Sequence, residues 1–239
     1  MHLEFYRTFK VLGIFLCYPT EEWLSGVDEL CDIIRTEKLL NDTDISEIVK
    51  FTQELSGADL LEVQENYVDM FDRVRSLSLH LFEHVHGESR DRGQAMVDLA
   101  DVYKEKGFVL GKTELPDYLP VFLEFLSSLP KDEAIEMLSD TAHILKGLGK
   151  RLAERGSSYN TIFNSLIKLA GIAPEKVEER VIIPQSFAQM DKEWEEKPID
   201  FLGAEEPKAG GCGSGGCSSG GCGGGAKKPI ENMTQGAKL

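Results

Sequence analysis

The chain has 239 residues, 28% charged and 41% hydrophobic, with a formal net charge of −15. This is the balance of a soluble globular protein, long enough for one generous domain and a tail. Such a surface repels nucleic-acid phosphates and anionic lipid, so no nucleic acid and no direct membrane insertion are expected, and a basic partner is.

Phe5, Phe9, Leu12 and Leu16 step by three and four, one face of an α-helix that Pro19 ends. The apolar run from Val11 to Cys17 is far shorter than the about 20 residues a membrane helix needs. Arg7 and Lys10 imitate a secretory leader, but Glu4 lies in the would-be basic region and Pro19-Thr20-Glu21-Glu22 offers no small-residue cleavage site. A cytoplasmic location is expected. Cys17 and Cys31 fall in helical patterns and read as small apolar packing groups rather than a bridge.

Trp23, Val27, Leu30 and Ile34 make the second stripe. Asp44 followed by Glu47 resembles a capping box, opening a stripe of Ile45, Ile48, Thr52 and Leu55 that Gly57 breaks. Leu60, Val63, Tyr67 and Phe71 begin another helix. Met96, Leu99 and Tyr103 follow, with Gly107 as C-terminal cap. Pro116 and Asp117 introduce Leu119, Phe122, Leu123 and Leu126, stopped by Pro130. Ile135, Leu138, Ala142, Leu145, Leu148 and Leu152 read as one continuous stripe. Ser157 or Ser158 can cap the last, Ile162 to Leu169, which Gly171 and Pro174 close. No stretch alternates with period two. The fold expected is all-α, a single helical domain of roughly eight to ten helices over residues 1–174. Residues 175–202 then form a short helical or extended arm, and 203–239 a flexible Gly/Ser/Cys-rich tail.

Between the helices, Phe82 to Met96 packs two histidines, two arginines and three carboxylates into fifteen residues. His80 and His84, or His84 and Glu88, share a helical face and could ligate zinc. However, no His-Glu-x-x-His motif is present and Gly87 tends to end the helix between them. Nothing identifies a nucleophile, oxyanion hole or cofactor pocket, and His143 is the sole histidine beyond the cluster apart from His2. The simplest reading is a charge network in which Arg90 and Arg92 pair with Glu83, Glu88 and Asp91 to fix a bend between two helices.

Two nucleotide-motif look-alikes fail. Gly107-Phe-Val-Leu-Gly111-Lys112-Thr113 is one residue short of a P-loop and links helices, and Gly211, Gly213 and Gly216 follow no strand. Cys212, Cys217 and Cys222 recur every five residues in the tail. Three thiols suit a soft metal or an iron–sulfur cluster, so a metal-handling or metal-delivery protein is the alternative function. A closed site lacks its fourth ligand and the Cys-x-x-Cys bite.

Residues 63–129 resemble the respiratory nitrate reductase delta subunit family of molybdenum cofactor assembly chaperones. The resemblance is carried by Tyr67 through Asp72-Arg73, by the run Ser78 to Met96, and by Glu114-Leu115-Pro116-Asp117-Tyr118-Leu119-Pro120 with Leu123-Glu124-Phe125-Leu126. It implies an all-helical chaperone without catalytic activity or permanent prosthetic group. Such a protein binds the N-terminal, signal-like peptide of the apo catalytic subunit. It permits insertion of the molybdenum cofactor and iron–sulfur clusters before membrane docking, with molybdenum cofactor biosynthesis proteins as further partners. The tail cysteines depart from the family pattern.

A signal-like peptide is amphipathic and basic, so its receptor should offer an apolar groove rimmed by carboxylates. Glu83, Glu88, Asp91 and Asp117 can supply the rim. Tyr67, Phe71, Phe82, Tyr118, Leu119 and Phe122 can supply the groove, although for each of these core packing is the default. His84, His86, Arg90, Arg92 and Met96 complete the candidate peptide-binding set, placed between the helices of the two blocks.

Overall fold

A computed structural model describes residues 6–86, 89–111 and 113–171, the Arg90 side chain excepted. Phe5, Glu88, the expected arm and the tail with Cys212, Cys217 and Cys222 lie outside the described residues. Among the described residues there are eleven α-helices and no strand. The count exceeds the expected eight to ten because two helices are very short and one expected stripe is divided.

The centre is the pairing of α1 (Thr8–Phe15) with a later helix, Leu119–Ser127, which is apolar at almost every position and correspondingly buried nearly all round. The two approach at Gly13, where a Cβ would lie 3.1 Å from the Pro120 carbonyl oxygen and 3.3 Å from Leu123 Cβ. Pro120 sits in the first turn of its helix, where its missing N–H costs nothing. Around this pair run α2 (Glu21–Ser25), α3 (Val27–Glu37) and α4 (Asp42–Ser56). Trp23, Ile34 and Ile48 point inward, as the spacing predicts, and Phe51, outside the expected stripe, is buried with them.

The expected capping box is displaced. Asn41, in extended backbone, accepts the Asp44 N–H at 2.9 Å, so α4 starts a turn earlier. Asp44 is buried inside the helix, where its carboxylate pairs with Lys168.

Next comes α5 (Leu60–Tyr67), whose last turn widens into a π-turn at Val68–Asp72, closed by the Arg73 N–H on the Val68 carbonyl. A 3-10 turn at Arg75–Leu77 and the four-residue α6 (Glu83–His86) lead to α7 (Arg90–Glu105), closed by Gly107 at φ +78°. After α8 (Leu119–Ser127), the continuous stripe expected from Ile135 to Leu152 divides at Thr141 into α9 (Lys131–Asp140) and α10 (Ala142–Glu154). The Thr141 hydroxyl turns back to donate to the Leu138 carbonyl at 2.8 Å, while the Leu145 N–H bonds the Thr141 carbonyl and starts the new helix.

Gly156, at φ +70°, turns α10 into α11 (Asn160–Leu169). The Ser157 hydroxyl accepts the Tyr159 N–H at 3.4 Å ahead of that helix, which itself has no side-chain cap.

Helix α7 is the least embedded of the long helices. Among its described side chains only Tyr103 is fully buried: its ring lies 4.3 Å from that of Phe125 of α8 and its hydroxyl donates to the Pro116 carbonyl at 2.7 Å. Lys106 pairs with Glu133 just past its end.

Candidate functional site

The two sequence blocks meet where the backbone at His80 runs antiparallel to that at Tyr118. The Leu81 N–H donates to the Asp117 carbonyl and the Leu119 N–H to the Leu79 carbonyl, both at 2.9 Å. This crossing carries the Asp117 side chain into the interior with no exposed surface. One carboxylate oxygen lies 3.2 Å from His80 Nδ1 and the other accepts the Phe82 N–H at 3.3 Å. Arg92, from the first turn of α7, places Nη2 3.8 Å from Asp117 Oδ2 and 3.1 Å from Glu83 Oε1. The arrangement is a clasp. A buried carboxylate gathers the α6 segment, the α7 N-terminus and the approach to α8, with Glu83 as a second carboxylate on Arg92. Arg92 Nε is buried without a partner, so the guanidinium is held from one side of its fork.

The pairing of Arg92 with Glu83 is the bend-fixing bond expected from the sequence. The role of Asp117 differs from expectation. It cannot stand on a rim because it is wholly enclosed, and it is enclosed because His80, the Phe82 N–H and Arg92 together satisfy it. No feature of the sequence signals its bond to His80, 37 residues earlier.

Of the other candidate residues, Tyr67, Phe71, Leu119 and Phe122 are core. The Tyr67 hydroxyl donates to the Leu16 carbonyl at 2.8 Å, and burial pushes its pKa well up. Phe82, Glu83, His84, His86, Arg92, Met96 and Tyr118 are half-buried, and Asp91 is exposed. Phe82 and His86 meet edge to face at 5.8 Å, and His80 lies against the Tyr118 ring at 5.3 Å. Arg90 opens α7, and Glu88 lies outside the described residues. Beside the clasp opens a cleft of about 400 Å³, lined by Phe71, Asp72, Arg73, Arg75, Ser78, His80, Glu83 and Arg92. Its lining is of mixed charge rather than apolar.

His84 and His80 are turned to separate tasks. His84 Nε2 donates to the Ser78 carbonyl at 2.7 Å, and burial holds its pKa below the usual histidine value despite that bond. Among the described residues, no group of three or more His, Cys, Asp or Glu is placed to hold a metal ion.

The lowered pKa makes a prediction. Unfolded chains take up the His84 proton near the ordinary value of about 6.5, whereas the folded protein resists it until lower pH. Stability contributed by neutral His84 is therefore complete above about pH 6.5 and falls as pH drops toward the folded-state pKa. Urea melts from pH 7.5 to 5 should show this slope, and His84→Gln should flatten it.

Among the described residues, no helix is long and apolar enough to cross a membrane. The family model described as nitrate reductase delta subunit matches residues 38–164. The chain is 41% identical over 211 residues to the nitrate reductase molybdenum cofactor assembly chaperone NarJ of Escherichia coli strain K12, covering 85% of this chain and 86% of that one. It is 42% identical, over 86% and 87% of the two chains, to the same organism's "Probable nitrate reductase molybdenum cofactor assembly chaperone NarW". A Bacillus subtilis relative bearing that description, NarJ, is 27% identical over 67% of this chain and 86% of its own.

Proposed function

The chain belongs to the nitrate reductase delta subunit family, and from that premise we propose that it is a system-specific assembly chaperone for a respiratory nitrate reductase. It binds the N-terminal peptide of the apo catalytic subunit in the cytoplasm. It keeps that subunit open to insertion of the molybdenum cofactor and iron–sulfur clusters, and it releases the subunit before membrane docking. Its own part is binding and timing, not catalysis.

The observation that carries this reading is the reach of the likeness: 41% identity sustained over 85% of this chain and 86% of the relative, so a whole body is shared and not one motif. The clasp supports the same reading. It fixes the α6–α7 turn while leaving Phe82, Glu83, His86 and Asp91 with access to solvent, so a partner meets a preorganised surface. The negative net charge favours encounter with a basic peptide.

Two measurements test it. Deleting the gene from a host with no paralogue should leave nitrate reductase short of molybdenum and detached from the membrane. Recovery of fully loaded, membrane-bound enzyme would overturn the proposal. Binding of the synthetic N-terminal peptide should weaken several-fold as salt rises from about 0.05 to 0.5 M, because screening shortens the reach of the acidic surface. An affinity indifferent to salt would remove the electrostatic part.

A further inference from the structure

Helix α7 is fastened unequally along its length. In residues 90–98 no described side chain is fully buried, and Asp91, Gly93, Gln94, Val97 and Asp98 are exposed. Among the described helices only α6 packs against α7 beyond isolated contacts. The later part is moored: Leu99 and Val102 pack on the core, Tyr103 is enclosed, its carbonyl accepts the Phe108 N–H at 2.9 Å, and Lys106 pairs with Glu133. We propose that residues 90–98 form a flap that unwinds from the body while the rest of the protein stays folded. Arg92 is its latch, and its opening uncovers the Asp117 carboxylate beneath the cleft beside the clasp.

Local chemistry weakens these residues as a helix. Ser89 stands at the N-cap in extended backbone, yet its side chain accepts no amide, so the first turn lacks the usual cap. Gly93, one turn in, forfeits the helix propensity that alanine would supply. It gains no packing in exchange, since a Cβ added there would meet nothing within 4 Å. What holds this stretch to the body is the Arg92 guanidinium, with Glu83 and Asp117 as its carboxylates.

The latch has two tolerable arrangements. Closed, Arg92 reaches Glu83 at 3.1 Å and Asp117 at 3.8 Å, but its Nε is shut away from water without a partner. That unmet donor penalises the closed form, and opening hydrates it. Asp117 does not depend on Arg92 alone. It keeps His80 Nδ1 at 3.2 Å and the Phe82 N–H at 3.3 Å, and water replaces the guanidinium. The gap between the two forms is therefore small, and the change is local. Arg92 lines the cleft, so its departure deepens the cleft onto a carboxylate that has no exposed surface when the flap is closed. The flap thus governs what can reach Asp117.

Native-state hydrogen exchange of the full chain, without a partner and at several low urea concentrations, tests this. Amides 94–98 should exchange at least about 100-fold faster than those of α8, with almost no dependence on urea, while amides 104–106 are slower. Arg92→Lys keeps the charge but loses the fork, and should speed amides 94–98 about tenfold while leaving 104–106 and α8 within about twofold. Gly93→Ala should slow amides 94–98 about fivefold by strengthening the helix. The amides of α8 serve as the internal control for overall folding in both variants. Amides 94–98 that share the rates and urea slope of α8 would overturn the flap. An Arg92→Lys protein in which both ends of α7 speed up alike would overturn the latch.

Discussion

Asp117→Ala should destabilise the protein by about 3 kcal/mol, seen as a lower urea midpoint with an unchanged slope. The carboxylate is fully enclosed and serves three groups at once: His80 Nδ1, the Phe82 N–H and Arg92 Nη2. Removing it leaves an amide without a partner and a guanidinium whose own Nε is already unpaired. Arg92 and His80 keep some solvent access, which holds the figure at the low end for a broken buried pair. Asp117→Asn keeps the volume and an acceptor for Phe82, so a loss nearer about 1 kcal/mol is expected. A double-mutant cycle with Arg92→Met should show coupling between the two positions. Strict additivity would mean that the 3.8 Å approach carries no energy.

Tyr103→Ala should cost about 3–5 kcal/mol, the range for truncating a large buried aromatic. Its ring packs on Phe125 at 4.3 Å and Phe108 at 5.5 Å, and its hydroxyl satisfies the Pro116 carbonyl. Tyr103→Phe should cost only about 1 kcal/mol, for the unpaired carbonyl. The more telling readout is local. Because α7 is held by Arg92 at one end and Tyr103 near the other, the alanine variant should raise hydrogen exchange along Arg90–Glu105 well before α1 or α8 loosens. Uniform loss of protection would show that α7 is not a separately tethered unit.

What the sequence could reveal was set by how local the determining forces are. Helix α8 is readable because a nearly continuous apolar run between Pro116-Asp117 and Pro130 has few alternatives. The start of α4 is ambiguous, since Asn41-x-x-Asp44 and Asp44-x-x-Glu47 both have the form of a capping box, and only packing of Asp44 against Lys168 decides. The break at Thr141 is hidden because Leu138, Ala142 and Leu145 stay in phase across it, with no Gly or Pro to mark it. The π-turn is hidden for a similar reason: Val63, Tyr67 and Phe71 keep helical spacing through it.

At the site, the bond of Arg92 to Glu83 was within reach because nine residues separate the partners around one bend. The Asp117–His80 contact depends on two distant segments crossing. Tyr67, Phe71, Leu119 and Phe122 satisfy the pattern of a groove and the pattern of a core equally, and the structure places them in the core.

The close approach at Gly13 has a bearing on biosynthesis. Helix α1 is apolar nearly all round, and the helix that covers it is made more than a hundred residues later. At about 5–20 residues per second, that is roughly 5–20 seconds of translation before the N-terminal segment can be sheltered. During that interval the nascent chain presents the kind of greasy leading helix that, in the proposal above, it later shields on another protein.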